Sequence, residues 1–231
     1  MSVPIDQPGP QVVPQVVPQV VLVHGLWFGA GSLALLARRL REAGFEPRHF
    51  RYRTTAAGLD EHARALRQFV GPAAPAPLHW VAHSLGGLVA LKMLGEFPDL
   101  PAGRVVLLGS PLQGSAVARK CSQLPGARRL LGAARPVLES GFAALPADRE
   151  IGMIAGSGGI GLGLLLGGTG GPGDGTVAVD ETRAGDLRDH LVLPVTHTGM
   201  LFSRVVARAV CHFLQEGRFD PLSSANCSVI N

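Results

Sequence analysis

Apolar, β-branched runs alternate along this chain with segments whose apolar residues recur at helical spacing. The runs are VVLVHG (20–25), LHWVAH (78–83), RVVLLGSP (104–111), EIGMIAG (150–156) and HLVLPV (190–195), and the more polar FEPRHFRY (45–52) reads as a further strand. Between them lie SLALLARRLREAG, GLDEHARALRQFV and LGGLVALKMLGEF, and GMLFSRVVARAVCHFLQ closes the series. A continuous apolar run suits a strand covered on both faces, and a helix between successive strands is the crossover that parallel strands need. The pattern predicts an α/β domain, a mainly parallel sheet of about six strands with helices on both faces. In such sheets ligands bind beyond the carboxyl ends of the strands, so the residues just after each strand deserve inspection first.

The domain is expected over 20–217. A Pro-rich arm over 1–19 precedes it, in which VVPQ recurs and each proline removes a ladder donor, and a tail over 218–231 follows. At 231 residues, 46% hydrophobic and 16% charged, the composition is that of one globular domain. The net charge of +4 is spread over scattered arginines without interleaved aromatics, which argues against nucleic acid as a partner. Weak contact with a lipid surface is compatible with that charge. Cys121, Cys211 and Cys227 form neither a C-x-x-C pair nor an even set, so neither a disulfide framework nor a zinc site is expected. The N-terminus shows no charged start followed by an apolar stretch, and no run approaches the ~18 apolar residues of a membrane span. A cytoplasmic protein is therefore expected.

The most specific signal is LHWVAHSLGGLVA, which sets Ser84 between an apolar strand and an apolar helix, with Ala82 and Gly86 two residues away on either side. This is the small-x-Ser-x-small nucleophile elbow. Strand and helix backbones nearly touch at so tight a turn, so only very small neighbours fit. The turn lifts the hydroxyl off the sheet edge over a helix N-terminus, whose free N–H groups favour a developing oxyanion.

These residues resemble the α/β-hydrolase superfamily, in particular small bacterial lipases and esterases with an A-H-S-x-G-G elbow. The resemblance runs from VVLVHGLW at Val20 to the region of His197 and implies an α/β-hydrolase fold with a small cap or none. It implies that His24-Gly25-Leu26-Trp27 begins the oxyanion loop, and that the backbone N–H groups of Leu26 and Leu85 hold the oxyanion. His24 is then expected to brace the loop, His83 to pack, and Trp27 and Phe28 to line an acyl pocket or simply to fill space.

A serine nucleophile needs a base, and the base an orienting acid, in the chain order Ser…Asp/Glu…His. His197 follows the last strand and precedes the last helix. His190 stands at the other end of that strand and reads as a surface residue, and His49, His62, His79 and His212 fall inside strands or helices. The acid should follow the fifth strand, where GDGTV resembles the acid motif of many lipases and Asp174 is the first carboxylate. Asp180 is the reserve, and DETRAGDLRD reads as a solvated segment. The segment over about 112–149 has the length of a lid of two or three short helices.

The expected activity is hydrolysis of carboxylic esters through Ser84, His197 and Asp174, on a small-molecule or lipid acyl ester, with no cofactor and no metal. The same triad serves thioesterases and acyltransferases, and a non-catalytic hydrolase scaffold is a further alternative. The glycine-rich stretch GSGGIGLGLLLGGTGGPGDG (156–175) matches a dinucleotide fingerprint in its first six letters. It follows the fifth strand instead of the first, and its glycines and Pro172 disfavour the long helix that fingerprint requires. It is expected to be a long loop that delivers Asp174.

Overall fold

The computed structural model describes residues 17–142, 144–161, 163 and 168–220. The repeated VVPQ up to residue 16, the core of the glycine-rich stretch and the last eleven residues, Cys227 among them, lie outside the described residues.

Six strands form one parallel sheet in the order β2-β1-β3-β4-β5-β6. They are β1 (Gln19–Val23), β2 (Glu46–Phe50), β3 (Leu78–His83), β4 (Val105–Leu108), β5 (Ile151–Gly156) and β6 (Asp189–Leu193). Alternate residues of the central strands enter two separate cores. Val20, Leu22, Val81, Val106, Leu108 and Ile154 pack with α1 (Ala34–Glu42) and the C-terminal helix. Val21, Val23, Trp80, Ala82, Val105, Leu107 and Met153 pack with α2 (Leu59–Val70) and α3 (Leu85–Glu96). That two-sided burial is why β1, β3, β4 and β5 read as unbroken apolar runs.

The fourth and fifth strands are separated by three short helices, α4 (Ala116–Gln123), α5 (Ala127–Leu131) and α6 (Arg135–Ser140), as the length of the segment suggests. The last helix, α7 (Arg204–Glu216), is capped by the Ser203 hydroxyl and stops at Gly217, whose φ of 73° suits glycine. Ser32, the first residue of SLALLARRLREAG, does not cap α1. The chain enters that helix through a 3₁₀ turn, Ala30–Leu33, and the Ser32 hydroxyl is left buried without a partner. Among the described residues no helix is long and apolar enough to cross a membrane.

From β1 the chain moves outward to β2, then crosses back to pair β3 against the other side of β1. This is where the winding of the sheet reverses, and it opens a crevice beyond the carboxyl ends of β1 and β3. Leu26 follows β1 and Ser84 follows β3, so the topology alone brings those two loops together.

Candidate active site

Ser84 occupies the single-residue turn between β3 and α3 with φ 55° and ψ −124°. Among the described residues only Ser84 and Trp27 are non-glycines at positive φ, and they sit on the two loops that border the crevice. Such a backbone is costly for a residue with a side chain, so the surroundings must hold it. They do so through very close packing. A Cβ on Gly86 would stand 2.5 Å from the Val23 carbonyl oxygen and 2.6 Å from that of His24, and one on Gly25 would stand 2.9 Å from the Ser84 Cβ. Gly87 makes room in the same way for Ser110. The Ser84 N–H donates to the Leu108 carbonyl at 2.9 Å, which ties the turn to the neighbouring strand.

Beside this turn, the loop 24–28 is braced from below. The Tyr52 hydroxyl donates to the His24 carbonyl at 2.7 Å, its ring stacks on the His24 ring, and His24 Nδ1–H donates to the Gly25 carbonyl. Burial lowers the His24 pKa and raises that of Tyr52, so both groups stay neutral. The Trp27 N–H donates to the Thr54 hydroxyl, whereas the Leu26 N–H carries no hydrogen bond among the described residues. As the first residue of α3, Leu85 also has an N–H without an intrahelical acceptor. Tyr52 and Thr54 escaped sequence reasoning because nothing in RYRTT marks them as supports for a loop some 25 residues earlier.

Asp174 and His197 form the buried pair of the site. His197 Nδ1–H donates to Asp174 Oδ2 at 2.6 Å, and the His197 N–H donates to the Asp174 carbonyl at 2.9 Å. The other carboxylate oxygen, Oδ1, accepts the N–H groups of Thr176 and Val177, both at 2.8 Å. Asp174 is 1% exposed, so these bonds supply all that water would have supplied. Gly109, just after β4, stands against the pair: a Cβ there would lie 2.9 Å from Asp174 Oδ2 and 3.2 Å from His197 Nδ1, and its φ is +55°. The reserve acid Asp180 is not part of this arrangement, since its side chain is 91% exposed and faces Arg183.

The glycine-rich loop owes its glycines to backbone packing. The Gly159 N–H donates to the Gly173 carbonyl and the Gly163 N–H to that of Gly175. A Cβ on Gly161 would stand 2.7 Å from the Gly175 oxygen, and one on Gly156 would stand 2.7 Å from the Asp174 Cβ. The two arms of the loop thus lie directly against each other, and residues 157–160 take no helical conformation.

His83 does more than pack. Fully buried, it donates from Nε2–H to the backbone carbonyl of His197 at 3.1 Å, and the two rings lie 4.6 Å apart. Desolvation, with His197 beside it, pushes its pKa well below the ordinary value, and its Nδ1 is buried without a partner. His190 is half-buried and shares a hydrogen bond with the Thr182 hydroxyl, so it is not the surface residue its position suggests. His49 and His212 donate to the carbonyls of Ala30 and Arg218, and His79 accepts the Arg104 N–H, so these three serve the scaffold. His62 packs edge-on against Tyr52.

The segment DETRAGDLRD is not uniformly solvated either. The Glu181 carboxylate accepts the N–H of Ala116, at the start of α4, and that of Ala178 beside the Asp174 turn. Its sequence signal was a charge among charges. Only the contact shows that it clamps the helical insertion to the acid loop.

Ser84 and His197 open into one cavity of about 270 Å³, which Trp27 and Phe28 also line. A larger, shallow groove between α1 and α7 is edged by Arg38, Arg39, Arg204 and Arg208 and does not reach Ser84.

The fold and these residues define a doubly wound α/β protein with a strained serine at the switch of its sheet and, facing the same cavity, the histidine of a buried His–Asp pair. The Alpha/beta hydrolase family profile matches residues 20–216, and the chain belongs to that family. Among solved structures it is similar to the mature form of the Bacillus licheniformis lipase BlEst2, at 19% identity over 96% of both chains with a TM-score of 0.68. It is similar to the metagenomic carboxyl esterase MGS0156, at 21% identity over 84% of this chain and 68% of that one, with a TM-score of 0.58. It is also similar to the type II thioesterase BorB from the borrelidin biosynthetic cluster, at 16% identity over 88% and 93%, with a TM-score of 0.61. At these identities the likeness is one of fold. Comparison with curated proteins returns no significant match.

Proposed function

We propose that the protein hydrolyses carboxylic esters, with Ser84 as nucleophile, His197 as general base and then acid, and Asp174 as the orienting carboxylate. The observation that carries this reading is the buried 2.6 Å bond between His197 and Asp174, with His197 lining the same cavity as the strained Ser84. With Nδ1–H committed to Asp174, a neutral His197 keeps Nε2 as a free base, the tautomer that can take the serine proton. The ester carbonyl is attacked by Ser84 Oγ, and the oxyanion is held by the N–H groups of Leu26 and Leu85. His197 then passes its proton to the leaving alkoxide, which departs as the alcohol. A water deprotonated by His197 attacks the acyl-enzyme, and the acid is released with the serine restored.

Ser84→Ala is the direct test. Esterase activity should fall by about 10³-fold or more, and covalent labelling by a fluorophosphonate should disappear. Activity near that of the wild type would end the proposal. Acyl thioesters run beside the matched oxygen esters will set the relative rank of the two leaving groups.

A further inference from the structure

The cavity beside Ser84 is strongly asymmetric. Its outer side carries Trp27 and Ile160, 54% and 70% exposed, and Thr198. Its inner side is made by Ala118 and Cys121 of α4, Leu131 of α5 and Leu138 of α6, all buried and part of the apolar core on that face of the sheet. The inner end therefore stops against packed protein, not solvent. Its polar groups are already engaged, since the Ser115 hydroxyl accepts the Ala118 N–H and donates to the Thr176 carbonyl. A charged or hydroxylated chain would find no partner there and would lose its hydration.

The three helices that form this end are fastened on two sides. Toward the acid loop, Ser115 bonds to Thr176 and Glu181 holds the start of α4. Toward the loop after β1, Trp27 Nε1–H donates to the Leu130 carbonyl at 2.8 Å, and the Ala133 N–H donates to that of Thr55 at 3.0 Å. A wall so tied does not swing aside to lengthen the cavity. With about 270 Å³ available and ~30 Å³ for a water-sized group, the cavity has room for roughly nine such groups, the mouth at Trp27 and Ile160 included.

From this closed, fastened and apolar end we infer that the hydrolase takes neutral hydrocarbon acyl chains up to about octanoyl in length, and that Ala118, Cys121, Leu131 and Leu138 together set the limit. The inference rests on the ester-hydrolase reading above. The acyl chain lies inward under α4–α6, and the alcohol leaves past Trp27 and Ile160.

The test measures kcat/KM for nitrophenyl esters from acetate to palmitate, kept below their aggregation limits. In parallel it measures the rates at which methyl, octyl and hexadecyl fluorophosphonates inactivate Ser84. In the wild type both series should peak near the octyl member and fall roughly tenfold or more by the hexadecyl one, because overlong chains must leave methylenes in water. Ala118→Leu should lower the ratio of octanoate to acetate kcat/KM by roughly tenfold, and Leu138→Ala should move the peak to longer chains. A wild-type profile that is flat or still rising at palmitate overturns the proposal even if neither variant folds. So does an Ala118→Leu variant whose ratio is unchanged. Labelling of Ser84 by methyl fluorophosphonate with no chain preference removes only this proposal. No labelling by any of the three removes the hydrolase reading, and this proposal with it.

Discussion

Ser84 and Asp174 are both presented at the carboxyl edge of one sheet, but by opposite means. Ser84 is set by regular structure: β3 ends at His83, α3 begins at Leu85, and backbone contacts through Gly86 and Gly25 leave the turn no other shape. Asp174 stands eighteen residues after the end of β5, in a loop with no named strand or helix at the position itself. Its place comes from its own bonds, Oδ1 to two N–H groups and Oδ2 to His197. At the elbow the scaffold positions the side chain. In the acid loop the side chain helps to hold its own scaffold. The two positions should therefore fail in different ways.

The largest effect is expected from Asp174→Asn. The two N–H groups at the Oδ1 position need an acceptor, so the Asn amide will keep its oxygen there and aim its NH₂ at His197. Nδ1 must then accept instead of donate, which places the histidine proton on Nε2 and removes the base of the proposed mechanism. We expect kcat to fall about 10⁴-fold, or ~5 kcal/mol in barrier, with the fold retained. Circular dichroism and urea unfolding beside the kinetics will check this. A variant that loses structure together with activity would break the contrast drawn here.

Gly86→Ala is the complementary experiment. Its methyl would meet two backbone carbonyl oxygens at the end of β1, neither of which can turn away as a side chain could. Helix and strand would have to part, at a cost on the order of 3 kcal/mol. Here unfolding at lower urea should accompany the loss of activity. Retained stability would mean that the elbow tolerates more slack than its contacts imply.

The same contrast explains what is legible in the sequence alone. The sheet, its covering helices and the elbow were legible because two-sided burial writes continuous apolar runs, and a steric bottleneck writes small residues at fixed offsets. Chain order and their place after strands single out Asp174 and His197, and the structure brings their side chains together. The supports were not legible. Tyr52, Thr54, Gly109 and Glu181 act across long stretches of chain through single bonds or a missing Cβ, and no local pattern announces such contacts. Glu181 was misplaced for that reason, hidden in a segment whose other charges do face water. Ser32 leaves α1 uncapped because a 3₁₀ turn takes the place where a cap bond would form, and a helical period does not resolve that difference.

His83 lies where the two regions meet, and it gives the smallest and sharpest prediction. It belongs to β3 by chain, yet its Nε2–H holds the backbone of the acid-side histidine. Burial keeps it neutral, which leaves that single proton for the His197 carbonyl and makes a proton-carrying role unnecessary. On the proposed mechanism it is a positioning residue. His83→Leu keeps bulk and removes the donor, so the His197 backbone should be held less closely. The expected loss is roughly tenfold to a hundredfold in kcat, with KM within about twofold, since the acyl cavity is untouched. His83→Gln can return an N–H near the Nε2 position and should recover most of kcat whether or not it recovers melting temperature. A purely structural role would instead tie kcat to stability in both variants. If Gln restores stability while kcat stays at the Leu level, the bond to His197 does not position the base, and the elbow and the acid loop are coupled only through the substrate.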